Sequence, residues 1–173
     1  MRLLSILDAI DRVISVICIA SAWVLLPTMI AVRTFDIVAR QFIFPPSTYL
    51  QFVEWRAFLF LVLLSFGYAL LRNAHVRVDI LNQFVSLRTM SKVEIGGFFV
   101  AIVPFCLVMI WYGIEYAHQA YEQGERETLA FGAPVQWMVK GMLPLGFFIL
   151  LVAGLVSALR HYHILHDPDS KGL

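Results

Sequence analysis

Apolar residues along this chain gather into four long runs, each as long as a membrane-crossing helix and each bordered by charge or by turn residues. The clearest is Glu54 to Leu81, EWRAFLFLVLLSFGYALLRNAHVRVDIL, with its apolar segment from Ala57 to Leu71. On a helix, Glu54 and Arg72 stand about five turns and about 27 Å apart on one face. That spacing puts them at opposite borders of a hydrocarbon core about 30 Å thick. The other runs cover about 13–32, interrupted by Pro27, about 95–115, interrupted by Pro104, and about 138–159, with Pro144 in its first turns. Proline inside such a run removes a backbone hydrogen bond and predicts a kink, for which Thr28 or Ser21 offers local compensation near Pro27.

Between the spans the periodicity changes. Leu3, Leu4, Leu7, Ile10 and Ile14 share one helical face and Asp8, Asp11 and Arg12 the other, which suits a short helix in the headgroup region. Asp8 and Arg12 have the spacing of a favourable ion pair along one helix. Arg33, Asp36 and Arg40 form a polar stripe after the first span, beside Phe35, Phe42 and Phe44, until Pro45-Pro46 stops the helix. Thr48 with Gln51, and Ser91 with Glu94, have capping-box spacing before the second and third spans. Asp79 to Leu87 reads as another short amphipathic surface helix. Gly97 with Ala101, and the row Gly146, Gly154 and Ala158, are candidate seams for close helix approach. Trp111 and Tyr112 suit an interfacial aromatic belt. The stretch 115–137 carries four glutamates, Gly124, Gly132 and Pro134, and reads as the longest polar loop.

The pattern therefore predicts an all-α integral membrane protein: one domain over 1–173, four transmembrane helices and short amphipathic interfacial helices. Composition agrees, with 60% hydrophobic residues, 14% charged residues and a mean hydropathy of +0.79. Soluble domains are about 25% charged. A net charge of +1 lacks the clustered basic footprint that nucleic acid binding needs. Cys18 and Cys106 both lie inside apolar runs, as small packing residues and not as metal ligands. Arg2 is basic, but Asp8 and Asp11 interrupt the start and no A-x-A site follows, so the N-terminus is expected to be retained.

Four spans place both termini on one side. Arg2, Arg12, Arg72, Arg77, Arg88, Lys92, Arg160 and Lys171 fall on that side, against Arg33, Arg40, Arg56, Arg126 and Lys140 on the other. The positive-inside rule then predicts cytoplasmic termini and an outward-facing acidic loop.

Candidate chemistry is sparse. Haem ligation needs histidines at matched depth in facing spans, whereas His75, His118, His161, His163 and His166 lie at span ends or in the tail. No nucleophile–base arrangement and no phosphate-cradling loop is visible. A self-contained channel or carrier is expected to place ionisable groups at mid-membrane. The cores offer Ser15, Ser21, Thr28, Ser65 and Ser157 instead, and Ser65 reads as a helix-packing hydroxyl. The chain looks built to brace another membrane protein; the alternative is a membrane anchor for a redox enzyme complex.

The run from Glu54 to Leu81 resembles the small membrane subunit of TRAP transporters, the tripartite ATP-independent periplasmic carriers (DctQ type). The resemblance rests on Glu54 opening the second span, Gly67 with Ala69 in its inner half, and Arg72-Asn-Ala-His75-Val-Arg77-Val-Asp79 ending it. It continues in Pro134-Val-Gln-Trp137 and Pro144-Leu-Gly146. It implies a non-enzymatic protein without cofactor or metal in the bacterial inner membrane. Its implied partners are a large membrane subunit, which carries substrate and sodium sites, and a periplasmic binding protein that delivers an organic acid.

The suspected structural or subunit-interface residues are Glu54, Ser65, Arg72, His75 and Asp79. Glu54 has a short stem and is either paired with a cation (Arg33, Arg40 or a residue of the large subunit) or hydrated at the border. Arg72 has the reach to snorkel to the headgroups. His75 and Asp79 are expected to order the turn into the surface helix, with Asp79 near its N-terminus.

Overall fold

The computed structural model describes residues 2–42, 48–72, 87–125 and 136–166. Within them the chain is helical, and four helices are long and apolar enough to cross a membrane. α1 is Arg2–Phe42, α2 is Thr48–Leu71, and α3 is Leu87–Gly97. α3 runs through a π turn, Phe98–Ile102, into α4, Val103–Glu122. α5 is Gln136–His166. In lipid this is the physical solution for a single chain, because a helix satisfies its backbone groups internally where no water can.

α1 has 41 residues and is therefore about 60 Å long, twice the hydrocarbon thickness. Its N-terminal amphipathic turns are not a separate surface helix; they continue the same rod. Its less exposed positions, Leu7, Asp11, Ile14, Cys18, Ala22, Leu25, Met29, Val32 and Asp36, recur every three or four residues and form the seam laid on α2. Pro27 leaves the carbonyl of Trp23 without its usual donor. Neither candidate hydroxyl serves it: Thr28 donates to Val24 (2.7 Å) and Ser21 to Cys18 (2.8 Å).

The four spans stand in a row, in the order α1, α2, α5, α4. α5 is the most buried, because small residues let its neighbours approach on two sides. Gly146 faces α2: a Cβ there would lie 2.8 Å from Leu63 Cβ and 3.1 Å from its carbonyl oxygen. Gly67 of α2 returns the contact, its would-be Cβ 2.7 Å from Ile149 Cγ2 and 3.1 Å from that residue's backbone oxygen. Gly154 instead receives the ring of Phe98 (2.7 Å), and Gly113 of α4 sits against Pro144 (3.0 Å). The row Gly146, Gly154 and Ala158 is thus divided between two neighbours. Phe147 bridges them, with Phe66 at 5.8 Å on one side and Phe105 at 5.4 Å on the other.

Three further expectations are corrected. The helix before the third span begins at Leu87, so Ser91 lies inside it and not at an N-cap; Ser91 is buried and meets His161 Nδ1 at 3.3 Å. Gly97 and Ala101 make no close approach: both are exposed, and a Cβ on Gly97 would meet open space. The polar stretch after the third span is still helical as far as Glu122. That helix ends in a Schellman turn: Gly124 adopts φ +59°, its N–H donates to Tyr121 (3.1 Å), and Glu125 N–H donates to Ala120 (3.0 Å). The turn needs a residue without Cβ and delivers Glu125 to Lys140 of α5. The surface helix expected over Asp79 to Leu87 lies outside the described residues up to its last position.

Gly67→Val and Gly146→Val are each expected to lower the stability of the purified chain by about 1–3 kcal/mol, the range for overpacking. Gly97→Ala, placed in open space, should not destabilise it and gains up to about 1 kcal/mol of helix propensity. Thermal unfolding in detergent checks both; a Gly146→Val protein as stable as the parent would contradict the packing described.

Candidate functional site

The second span carries Glu54, Ser65 and Arg72 along one stripe, and all three face α1. Glu54 Oε2 lies 3.2 Å from Arg33 Nη1. Of the two candidate cations on α1 it is Arg33 that reaches Glu54, while Arg40 pairs with Asp36 one helical step back (2.6 Å). Asp36 is buried, and Arg40 is its charge partner. Midway along the span, Ser65 donates to the carbonyl of Leu61 (2.6 Å) and receives the Cys18 thiol at 3.7 Å. Both polar atoms are satisfied inside the helix pair, as hydrocarbon demands.

At the other border Arg72, its side chain half-exposed, turns toward α1. Its Nη2 donates to Ser15 Oγ (3.2 Å) and lies 3.8 Å from Asp11, while its guanidinium stands over the Tyr68 ring at 5.5 Å. Arg160 of α5 reaches the same place, 2.9 Å from Asp11 and 2.9 Å from Asp8. Asp8 is therefore held by α5 and not by Arg12. Two carboxylates and two guanidiniums balance, and they join α1, α2 and α5 in one cluster. Asp11 is its centre: its side chain is 13% exposed against 66% for Asp8, and Ser15 also donates to it (3.2 Å).

On the Glu54 side of the row a second set of polar contacts ties α4 to α5. Lys140 pairs with Glu125 and stands 3.9 Å from the Tyr116 ring centre, and Tyr121 packs edge-on to Trp137 at 5.9 Å. Arg56 stacks on Phe52 at 3.9 Å and donates to Gln136 (3.4 Å). Lys140, read from sequence only as a charge near the start of a span, is thus part of the corner between two helices.

Of the five suspected residues, Glu54, Ser65 and Arg72 come together on the α1–α2 seam. His75 and Asp79 lie outside the described residues. Sequence reasoning did not identify Asp8, Asp11 and Arg160 as one cluster. The available signal was that all three, with Arg72, sit at span borders on the same predicted side. Among the described residues, no group of three His, Cys, Asp or Glu side chains converges to hold a metal. His118 pairs with Glu122 (3.7 Å), and His166 contacts the carbonyl of Tyr162 (3.2 Å).

Compared with known families, residues 29–163 match the model described as tripartite ATP-independent periplasmic transporters, DctQ component. The matched segment holds Arg33, Glu54, Arg72 and Arg160, while Asp8 and Asp11 precede it. No curated protein matches the chain.

The two carboxylates of the cluster should respond differently to neutralisation. Asp11→Asn removes the less exposed carboxylate, the one both guanidiniums share, and is expected to cost about 1.5–3 kcal/mol, the range for hydrogen bonds to charged groups. Asp8→Asn, at an exposed pair, should cost less than about 1 kcal/mol. Equal losses in thermal stability would remove Asp11 from the centre of the cluster.

Proposed function

The chain belongs to the DctQ component family of the tripartite ATP-independent periplasmic transporters, and from that premise we propose that it braces the large transport subunit in sodium-driven uptake of an organic acid. A periplasmic binding protein delivers the substrate, and this chain contributes no catalytic step. It lies in the bacterial inner membrane as one domain, crossing the hydrocarbon at about 13–32, 54–72, 95–115 and 138–159 with both termini in the cytoplasm.

The observation that carries the bracing reading is where charge lies. The span cores contain no Asp, Glu, Lys, Arg or His near their centres, and the border charges of the α1–α2 pair are taken up within the chain. A self-contained carrier or channel is expected to place ionisable groups at mid-depth. What it has instead is a row of helices tied at both membrane borders, which suits a rigid support. Glu54 and Arg72 serve this reading as the two ends of the α1–α2 tie and Ser65 as its middle. His75 and Asp79 are proposed to order the turn that leaves the second span.

Reconstitution tests the reading. In liposomes the purified chain is expected to move no organic acid, with or without a sodium gradient, whereas uptake should appear once the large subunit and binding protein are added. Sodium-driven uptake by the chain alone would end the bracing role. For topology, single cysteines at Asn82 and Gln123, in a background with Cys18 and Cys106 replaced, are expected to label from opposite sides. Labelling of Asn82 from the periplasm in intact cells would reverse the orientation.

A further inference from the structure

The third membrane helix, α3 through α4, turns its buried side to α5 along its whole length. Among its described residues the buried ones are Ser91, Phe98, Cys106, Gly113 and Ala120. Their spacing is seven residues at every step but one: from Phe98 to Cys106 it is eight. A seven-residue repeat keeps one face of an α-helix on its neighbour, with a drift of only about 20° per repeat. One added residue would swing everything before it round the axis by about 100°.

The π turn, Phe98–Ile102, lies inside that eight-residue interval. Val103 N–H closes it by donating to Phe98 O, five residues back, so the wider turn holds one residue more than an α turn. Pro104 follows, with no N–H to offer an α bond of its own. The Phe98 ring sits in the space that Gly154 leaves, while Val100 in the middle of the turn is 79% exposed.

We infer that the π turn is a register device: it absorbs one inserted residue, and so keeps Ser91 and Phe98 on α5 in line with Cys106, Gly113 and Ala120. The surplus residue is looped toward the outside, at Val100. The Phe98–Gly154 seat then fixes the rotation of the inner half, which is what brings Ser91 to His161 at 3.3 Å. This goes beyond the bracing role and holds whatever the transporter carries.

One particular residue in the middle of this membrane helix can then be removed without harm. Deleting Val100 leaves five buried positions at uniform seven-residue spacing, and the π turn becomes an α turn. The test uses the full chain in membranes, with Cys18→Ser and Cys106→Ala, and a short thiol-to-thiol cross-linker. Ser91→Cys with His161→Cys reports the inner half; Glu125→Cys with Lys140→Cys reports the far end. Both pairs are expected to cross-link in the full-length chain and equally after deletion of Val100. Inserting one alanine after Val100 should abolish the Ser91 cross-link and transfer it to Lys92→Cys. Loss of the Ser91 cross-link on deletion of Val100 overturns the inference, whether the far pair survives (the inner half has rotated) or fails (the deletion is not tolerated). A Ser91 cross-link that persists after the alanine insertion overturns it as well.

Discussion

Hydrocarbon offers no partner to a charge or an amide, and the arrangement of this protein follows from that. Every span is helical because a helix meets its own backbone needs. Polar side chains in the cores bond within one or two helices, as Ser65 does to Leu61 and Cys18, and Thr28 to Val24. The fixed charges stand at the borders, and there they meet across helices: Arg33 with Glu54 at one side, Asp11 with Arg72 and Arg160 at the other. Most of these pairs are half-exposed and each is worth little, whereas Asp11, with a side chain only 13% exposed, is the member whose loss costs most.

Between the borders, water does not drive the helices together, because lipid tails are as apolar as leucine. Close contact does that work. Gly67 and Gly146 bring α2 and α5 within reach of each other's backbone, and Gly113 and Gly154 admit Pro144 and Phe98 from the other side. The contacts run from α1 to α2 to α5 to α4, with α1 also touching α5 through Asp8, Asp11 and Arg160. A row has two broad faces and little interior, which agrees with the large apolar side chains exposed along α1 and α4, such as Trp23, Val24, Phe105 and Trp111.

The residues themselves made much of this legible. The cost of charge in lipid is enough to place Glu54 and Arg72 at borders about 27 Å apart. It left Glu54 either hydrated at the border or paired with Arg33, Arg40 or a residue outside the chain. The choice of Arg33 came from the antiparallel register of α1 on α2, which sets Cys18 beside Ser65, Ser15 beside Arg72 and Arg33 beside Glu54. Register of that kind depends on how two surfaces interlock over their whole length, and no single residue announces it.

The small residues show the same boundary from the other side. Gly97 with Ala101 and Gly146 with Gly154 had equal claims as packing seams, yet the first pair faces outward and the second is split between two neighbours. Eight residues of helix turn Gly154 about 80° away from Gly146, enough to serve a different helix. By itself the sequence determined the number of spans and the family, since hydropathy and border charge report how each segment meets lipid and water. Which helix face meets which, the Asp8–Asp11–Arg72–Arg160 cluster and the π turn were decided only by the tertiary structure. The reason is physical: when lipid and protein interior are equally apolar, a buried face and a lipid-facing one carry the same hydrophobic pattern, and only the fit between surfaces tells them apart.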